Sequence, residues 1–285
     1  MSTLLIASRK GLFIADRAAF ARQVGEWQVS SHHFHGNSVT QVLADSRGGA
    51  WCAALRLGHF GVKMQKCMDR GATWTELPAP AFLAKPTDGP WADDAMPWMV
   101  DLVWSLAAGG PHEKGTLWAG CAPAELFGSQ DGGASWQLMD ALWLDERRKG
   151  WFGGGNGHPG LHAVCVDSRD SNRVTIAISC GGVWRTLDAV AHWRLLGKGF
   201  HAPYMPPERD GDASVQDVHA MAACTAQPDV MWAQHHAGTY RSVDGGAHWS
   251  RTAAAMPTVF GLPIVADPVN PLRGWTVPAQ ADTHR

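Results

Sequence analysis

The stretch Ser242–Trp249, SVDGGAHW, decides the fold, because the chain contains it four times in related forms. Residues 129–136 read SQDGGASW, and degraded copies at 67–74 and 186–193 read CMDRGATW and TLDAVAHW. The aspartates stand at positions 69, 131, 188 and 244, which are 62, 57 and 56 residues apart. A period of this length with strand-like flanks is typical of a propeller or a related repeat array.

Each copy predicts a tight turn between two strands. The aspartate side chain bonds back to the backbone of its own turn, and the glycines take positive φ angles. The tryptophan five residues later begins the next strand and packs over the hairpin. We therefore expect structural roles for the four pairs Asp69 and Trp74, Asp131 and Trp136, Asp188 and Trp193, and Asp244 and Trp249.

The pattern S/T-x-D-x-G-x-T/S-W resembles the Asp-box, or BNR repeat, of sialidases, sortilin-type receptors and the cytosolic YVTN/BNR-like repeat proteins. The phrases HFHG at 33–36 and WFGGG at 151–155 add to the resemblance to the last group. It implies an all-β fold, a β-propeller of four-stranded antiparallel blades. It does not imply an activity, because Asp-boxes occur in enzymes and non-enzymes alike.

The strand pattern predicts one propeller domain over residues 1–285, in which each repeat supplies strands A, B, C and D. The expected blades cover about 3–30, 38–77, 99–139, 161–196, 218–252 and, in part, 260–285. The first lacks a strand A and the last lacks an Asp-box. Because the family generally continues for another one and a half repeats, we expect about five and a half blades of a ring with seven. A contracted six-bladed ring is the alternative.

Composition narrows the class of partner. The formal net charge is −2 with no long run of like charge, which argues against nucleic acid or an anionic membrane as the main partner. The opening residues lack a signal-peptide pattern, and no apolar run has the length of a membrane span. The six cysteines are scattered without a C-x-x-C pair, which is typical of buried thiols in a reducing compartment. The expected location is the cytoplasm.

Antiparallel blades place their connections alternately on two faces of the disc. The D–A and B–C connections share one face, named here the loop face, and the A–B and C–D turns share the other. The Asp-box turns are C–D turns, so they lie away from the loop face. The long linkers, at 31–37, 78–97, 140–160 and 197–216, are all D–A connections. Loops of this length in a compact domain are usually functional, so we expect the functional residues on the loop face.

One residue from each strand A is expected at the mouth of the central channel. Aligning the strand ends selects Thr40, Asp101, His162, His219 and Leu262. Three consecutive blades thereby offer one carboxylate and two imidazoles at one level, which suits a divalent metal or a general base. No cofactor is certain from the sequence. The hypothesis is a divalent metal on Asp101, His162 and His219, and the alternative is a polar channel lining that holds water.

Further ligand-binding candidates lie on the same connections. They are His35, Arg56, His59, Glu125, Trp151, His158, His235 and His236. Glu125 stands in a B–C turn where most repeats have glycine, so it is either a tolerated substitution or a ligand contact. His235 and His236 are adjacent at a strand end, so only one of them can face the axis.

The loop-face linkers are rich in aromatic residues. Trp91, Trp98, Trp151 and Phe152 would suit stacking on a sugar or aromatic ligand, and the alternative is packing within the loops. The glycine-rich run at 151–160 is not a phosphate loop, because no Lys-Ser/Thr follows and the next element is a strand.

Three functions remain open at this point. The first is a propeller of uncertain biochemical role that binds a small molecule, a carbohydrate or a protein partner on the loop face. The second is a glycoside hydrolase of the sialidase type, which requires an arginine clamp, a tyrosine nucleophile and acidic partners. Only Tyr204 and Tyr240 are available, and a third arginine beside Arg9 and Arg56 is not evident. The third is an assembly scaffold.

Overall fold

The strands pair in chain order into successive antiparallel sheets, because short connections join each strand to the next. The computed structural model describes residues 2–17, 19–20, 23–154, 157–252 and 258–280. Six of the sheets follow one another along the chain, and a small β-hairpin interrupts the first. Each sheet packs against the next through its first strand. The protein is therefore an all-β β-propeller, which confirms the fold class predicted from the repeat.

The first three blades contain strands β1 to β13. Blade I consists of β1 (Ser2–Ser8), β2 (Gly11–Arg17) and β5 (Gln28–His33), with the hairpin β3 (Ala19–Phe20) and β4 (Gln23–Val24) between them. Blade II consists of β6 (Ser38–Ala44), β7 (Trp51–Arg56), β8 (Val62–Cys67) and β9 (Thr75–Leu77). Blade III consists of β10 (Leu102–Ala108), β11 (Leu117–Ala122), β12 (Leu126–Ser129) and β13 (Gln137–Leu138).

The last three blades contain strands β14 to β23. Blade IV consists of β14 (Leu161–Asp167), β15 (Asp170–Ile178), β16 (Gly182–Thr186) and β17 (Arg194–Leu196). Blade V consists of β18 (Val218–Cys224), β19 (Gln227–His235), β20 (Gly238–Ser242) and β21 (Ser250–Arg251). Blade VI consists of β22 (Gly261–Ala266) and β23 (Gly274–Pro278). The number of blades in a complete ring, seven or six, stays a prediction.

The long D–A connections contain short helical segments. The helix α1 covers Asp140–Trp143, and 3-10 turns cover Glu146–Gly150, Pro207–Arg209 and Ala213–Val215, with a further one at Gly58–Phe60 in a B–C turn. Among the described residues, no helix is both long and apolar enough to cross a membrane. β5 continues to His33, so the first D–A connection is shorter than the expected 31–37.

The core lies between adjacent blades, where the inward side chains of each sheet meet. Leu161, Ile176 and Trp184 of blade IV pack with Leu126 of blade III in one apolar cluster. A second cluster joins blades IV and V. Burying an aliphatic or aromatic side chain of this size contributes about 1.5–3 kcal/mol, so these contacts hold the blades at fixed angles. The loop face is thus built on a rigid support.

The four repeated turns share one hydrogen-bond pattern. In the turn at Asp131, Ser135 donates its backbone N–H to Oδ1 (2.8 Å) and its hydroxyl to Oδ2 (2.6 Å). The hydroxyl of Ser129 also donates to Oδ1 (2.9 Å). Hydrogen bonds from Ser135 and Ser129 lower the pKa of Asp131 to about 2. Both carboxylate oxygens are therefore used within the turn, as expected for a structural residue.

Candidate functional site

Asp217, His219 and His236 are three side chains that meet on the loop face of blade V. Asp217 ends the D–A connection, His219 is the second residue of β18, and His236 lies in the turn between β19 and β20. Their donor atoms all lie within 4.8 Å of one another. Among the described residues, no other group of three or more histidine, cysteine and carboxylate side chains is so close.

His219 lies between two oxygen atoms. Its Nδ1 is 2.7 Å from the carbonyl oxygen of Gly261, at the start of blade VI, and its Nε2 is 3.1 Å from Oδ2 of Asp217. Burial acts to lower the pKa of His219. The hydrogen bond with Asp217 and the negative charge of Asp217 outweigh this effect, so the pKa of His219 is raised. The ring is therefore fixed in position and orientation by two neighbouring segments.

Asp217 receives contacts through both carboxylate oxygens. The hydroxyl of Ser179, in the B–C turn of blade IV, donates to Oδ1 (2.8 Å). Oδ2 faces Nε2 of His219 and also lies 3.5 Å from Nδ1 of His236. Burial acts to raise the pKa of Asp217, but contacts with His219, His236 and Ser179 hold it well below its usual range. Asp217 is an ionised carboxylate at neutral pH.

His236 is the member of the group that faces solvent. Its side chain is 40% exposed, whereas those of His219 and Asp217 are 7% and 10% exposed. The ring of Phe260 packs edge-on against both imidazoles, with centroid distances of 5.0 Å to His219 and 5.3 Å to His236. The ring of Tyr204 also packs edge-on against His236, at a centroid distance of 5.1 Å. The group is thus a buried imidazole–carboxylate pair with one open side and an aromatic border.

Two residues of the expected metal trio do not join this group. Oδ1 of Asp101 accepts from Nη2 of Arg56 (2.7 Å), so this carboxylate is paired with the neighbouring blade. The ring of His162 packs on Trp104 at a centroid distance of 4.1 Å, and its Nε2 is shielded from solvent and has no hydrogen-bond partner among the described residues. Burial lowers the pKa of His162 to about 4. Of the trio, only His219 contributes to the cluster.

The sequence contained a signal for Asp217, the member of the group that was not among the candidates. Residues two apart in an extended segment point to the same side, so Asp217 and His219 form a D-x-H pair at the beginning of strand A. Alignment of strand ends alone selected one residue per blade and left this pair out. His236 was a candidate from the sequence, and it reaches the group because its backbone N–H donates to the carbonyl oxygen of Asp217 (2.9 Å).

Three other candidates are buried, which corrects the expectation that they contact a ligand. Glu125 is fully buried, its Oε1 accepts from the backbone N–H of Leu126 (2.6 Å), and burial raises its pKa well above the usual range. Trp151 packs edge-on against Trp184 in the core. His235 is fully buried, and burial lowers its pKa to about 3. The cause in each case is the packing of the long loops over the strand ends.

Four candidates lie at the surface, as expected from their connections. Arg56 is exposed and pairs with Asp101. His35 contacts the ring of His32, and His59 contacts the ring of Phe60, both at 3.9 Å between centroids. His158 is exposed as well. Their roles in ligand binding stay predictions.

The loop tryptophans form a closed cluster around an arginine that sequence reasoning missed. Arg148 is fully buried, and its Nη2 lies 2.6 Å from Oδ2 of Asp94. Its guanidinium lies over Trp91 at 4.3 Å and over Trp143 at 3.8 Å, and Trp98 donates its indole N–H to Asp94 (2.9 Å). Trp91 and Trp98 therefore tie two long loops together, and they do not form a free stacking surface.

The fold and this site define a β-propeller with a histidine–carboxylate cluster on its loop face. No protein-family model and no curated protein matches the chain. The chain is similar to several solved structures. An ancestral GH74 enzyme matches at 14% identity and a TM-score of 0.53, over 81% of this chain and 26% of that chain.

Two further structures resemble the chain over most of its length. The GH74 xyloglucanase of Xanthomonas campestris matches at 16% identity and a TM-score of 0.39, over 91% of this chain and 43% of that chain. YCF48 from Cyanidioschyzon merolae matches at 14% identity and a TM-score of 0.43, over 96% of this chain and 92% of that chain. The chain thus spans less than half the length of the two GH74 proteins, and at this identity the likeness shows the fold alone.

Proposed function

We propose that the protein is an Asp-box β-propeller that binds a protein segment on its loop face and does not hydrolyse a glycoside. The Asp-box assignment is supported by the four repeated turns, in which the aspartate oxygens are used within their own turn. In the turn at Asp131, both carboxylate oxygens already accept hydrogen bonds from residues of the turn itself. The functional groups of the propeller are then those of the opposite face.

The observation that carries the proposal is the partly open group of Asp217, His219 and His236. Buried titratable groups are costly unless they are well bonded, and titratable groups with strongly shifted pKa values cluster at functional sites. Exposed apolar side chains lie on the same face, in the turn at Phe60 and at Met99 beside the ion pair of Asp101. Apolar anchors next to charged groups are typical of a surface that binds a protein segment.

Glycoside hydrolysis is disfavoured by the environments of the tyrosine and carboxylate side chains that it would require. Tyr240 is fully buried. The hydroxyl of Tyr204 donates to the carbonyl oxygen of Val215 (3.0 Å), and burial raises its pKa, so neither tyrosine is an activated nucleophile. Of the loop-face carboxylates, Asp101 is held in an ion pair and Glu125 has no contact with solvent.

A cytoplasmic location is part of the proposal and is supported by six unpaired cysteines, five of them buried.

The experiment compares the two faces with matched variants. Peptides selected from a random displayed library on the wild-type protein are titrated by fluorescence anisotropy. The loop-face variant carries Phe60→Ser and Met99→Ser, which remove side chains that are 69% and 67% exposed. The control carries Met68→Ser and Val243→Ser in the repeated turns, where the side chains are 63% and 62% exposed.

We expect the loop-face variant to weaken peptide binding roughly tenfold or more, as for interface anchors, and the control to stay within about twofold. The proposal would be overturned if no peptide is selected. It would also be overturned if the control variant loses more peptide affinity than the loop-face variant. Hydrolysis of an aryl glycoside that is lost in Asp101→Asn would establish the enzyme in its place.

A further inference from the structure

The contacts of His219 specify which ring nitrogen carries a hydrogen. A carbonyl oxygen only accepts, so the Nδ1 that lies 2.7 Å from the oxygen of Gly261 is the donor. In the neutral ring, Nε2 then presents a lone pair. This lone pair points to Oδ2 of Asp217 at 3.1 Å, which is also an electron-pair donor. Two lone pairs at this distance require a positive centre, which is either a proton or a metal cation.

The distances within the group match those between ligands of one metal ion. Nitrogen and carboxylate ligands bond a transition metal at about 2.0–2.2 Å, so neighbouring ligands in tetrahedral or octahedral geometry are roughly 2.9–3.5 Å apart. Oδ2 of Asp217 lies 3.1 Å from Nε2 of His219 and 3.5 Å from Nδ1 of His236. All three donor atoms lie within 4.8 Å of one another.

Each ligand is also held by a second contact, as is usual around protein-bound metals. The carbonyl of Gly261 fixes His219 with its Nε2 free to coordinate. The hydroxyl of Ser179 occupies Oδ1 of Asp217 and leaves Oδ2 as a single-atom ligand. The backbone N–H of His236 donates to the carbonyl of Asp217 and keeps the two residues adjacent. These supports come from blades IV, V and VI, so the site is built by the tertiary structure.

The group excludes one nearby imidazole and leaves space for an outside ligand. The backbone N–H groups of Asp217 and Ala237 lie 3.1 Å and 3.0 Å from the two ring nitrogens of His235, so this buried ring turns both nitrogens to the backbone. Three protein ligands leave at least one coordination position unfilled. Because His236 is the exposed member, that position opens to solvent on the loop face.

We propose that Asp217, His219 and His236 bind one divalent transition-metal ion, of which zinc is the representative. Two imidazoles and one carboxylate suit zinc, iron(II), cobalt or nickel better than magnesium or calcium, which prefer oxygen ligands. The open position takes an oxygen donor, such as a carboxylate, of the bound segment. This last step rests on the proposed binding function of the loop face, whereas ion binding itself does not.

The test is calorimetric titration of tag-free, chelator-treated protein with zinc chloride, and absorption spectroscopy with cobalt(II) as a probe of geometry. We expect one equivalent to bind. His236→Ala and Asp217→Asn should each weaken zinc affinity by about 100-fold or more, because each removes a ligand, and Ser179→Ala by about 10–100-fold. His236 is partly exposed, so its variant is expected to fold, and a thermal melt checks this.

A matched control is His201→Ala. His201 also pairs with a carboxylate, since its Nδ1 lies 2.6 Å from Oδ2 of Asp210 on the same D–A connection as Asp217, but this pair is outside the three-residue group. Zinc affinity should be unchanged in this variant. The proposal falls if the wild type binds no stoichiometric zinc, or if the ligand variants bind it as tightly as His201→Ala does. If the protein binds a peptide on its loop face but does not bind zinc, only this inference is overturned. If it binds zinc but no peptide binds the loop face, only the proposed function is overturned.

Discussion

Nδ1 of His248 lies 2.7 Å from Oδ2 of Asp244, in the place that the hydroxyl of Ser135 takes at 2.6 Å from Oδ2 of Asp131. His192 makes the same contact with Asp188 in the turn of blade IV (2.7 Å). The repeated turn therefore requires a side-chain donor four residues after the aspartate, and an imidazole N–H serves as well as a hydroxyl.

Replacing His248 tests this equivalence. His248→Thr restores a hydroxyl donor and should leave the melting temperature close to that of the wild type. His248→Ala removes the donor and should lower it by about 1–3 °C, the shift for a fraction of a kcal/mol to one kcal/mol in a domain of this size. Scanning calorimetry at pH 7 measures both. Equal melting temperatures for the two variants would show that the side-chain bond contributes nothing.

The degraded turn of blade IV contains backbone strain that glycine should relieve. Ala189 has φ 55°, at the position where the turn at Asp131 has Gly132 with φ 71°. Non-glycine residues pay roughly 1–2 kcal/mol for this left-handed conformation. Ala189→Gly should therefore raise the free energy of unfolding by about 0.5–1 kcal/mol. The matched reverse change, Gly132→Ala, should lower it by a similar amount, and urea denaturation gives both values. Destabilisation by Ala189→Gly would contradict the strain argument.

The buried carboxyl of Glu125 makes stability depend on pH. Its pKa is raised in the folded state by burial, so its protonated form is favoured on folding. This contribution is fully present below the unfolded value of 4.5 and declines as the pH rises toward the raised folded pKa. Glu125→Gln keeps the shape and removes the titration, so it should raise the free energy of unfolding at pH 7 above that of the wild type. The gain should vanish near pH 4.

The control for this change is Glu76→Gln, which alters an exposed carboxylate paired with Lys63. It should change the free energy of unfolding little at any pH between 4 and 8, since exposed pairs contribute at most about 1 kcal/mol. Urea unfolding at several pH values compares the two variants. A Glu125→Gln effect that is independent of pH would show that folding does not raise the pKa of this carboxyl.

The buried pair of Arg148 and Asp94 should behave as one unit. Arg148→Met leaves the Asp94 carboxylate without its partner in the loop cluster, and such a loss typically costs 3–5 kcal/mol. The double change with Asp94→Asn removes the uncompensated charge and should recover part of that loss, so the two effects are not additive. Urea denaturation of the four proteins in the cycle measures the coupling. Additive effects would mean that the pair does not hold the loops together.

The sequence by itself determined the fold and the assignment of each connection to one of the two faces. The turn at Ser242–Trp249 is local: its aspartate, hydroxyl and glycines act within eight residues, so each copy specifies its own hairpin. Four copies at near-constant spacing then predict successive blades with the same strand topology. Because antiparallel strands alternate in direction, the order of the elements also assigns every connection to a face without knowledge of the packing.

Tertiary structure alone decided which loop-face side chains meet. Asp217 and His219 share a side because they are two apart in an extended segment, but the turn that brings His236 to them and the carbonyl of Gly261 belong to other strands. Glu125 lies in a turn that looks exposed in sequence, yet it is fully buried. Contacts between segments that are distant in sequence decide where the side chains of the long loops lie. The local sequence pattern does not predict those contacts. The physical reason is that a strand repeat fixes backbone direction, whereas burial and side-chain pairing depend on the neighbouring blade.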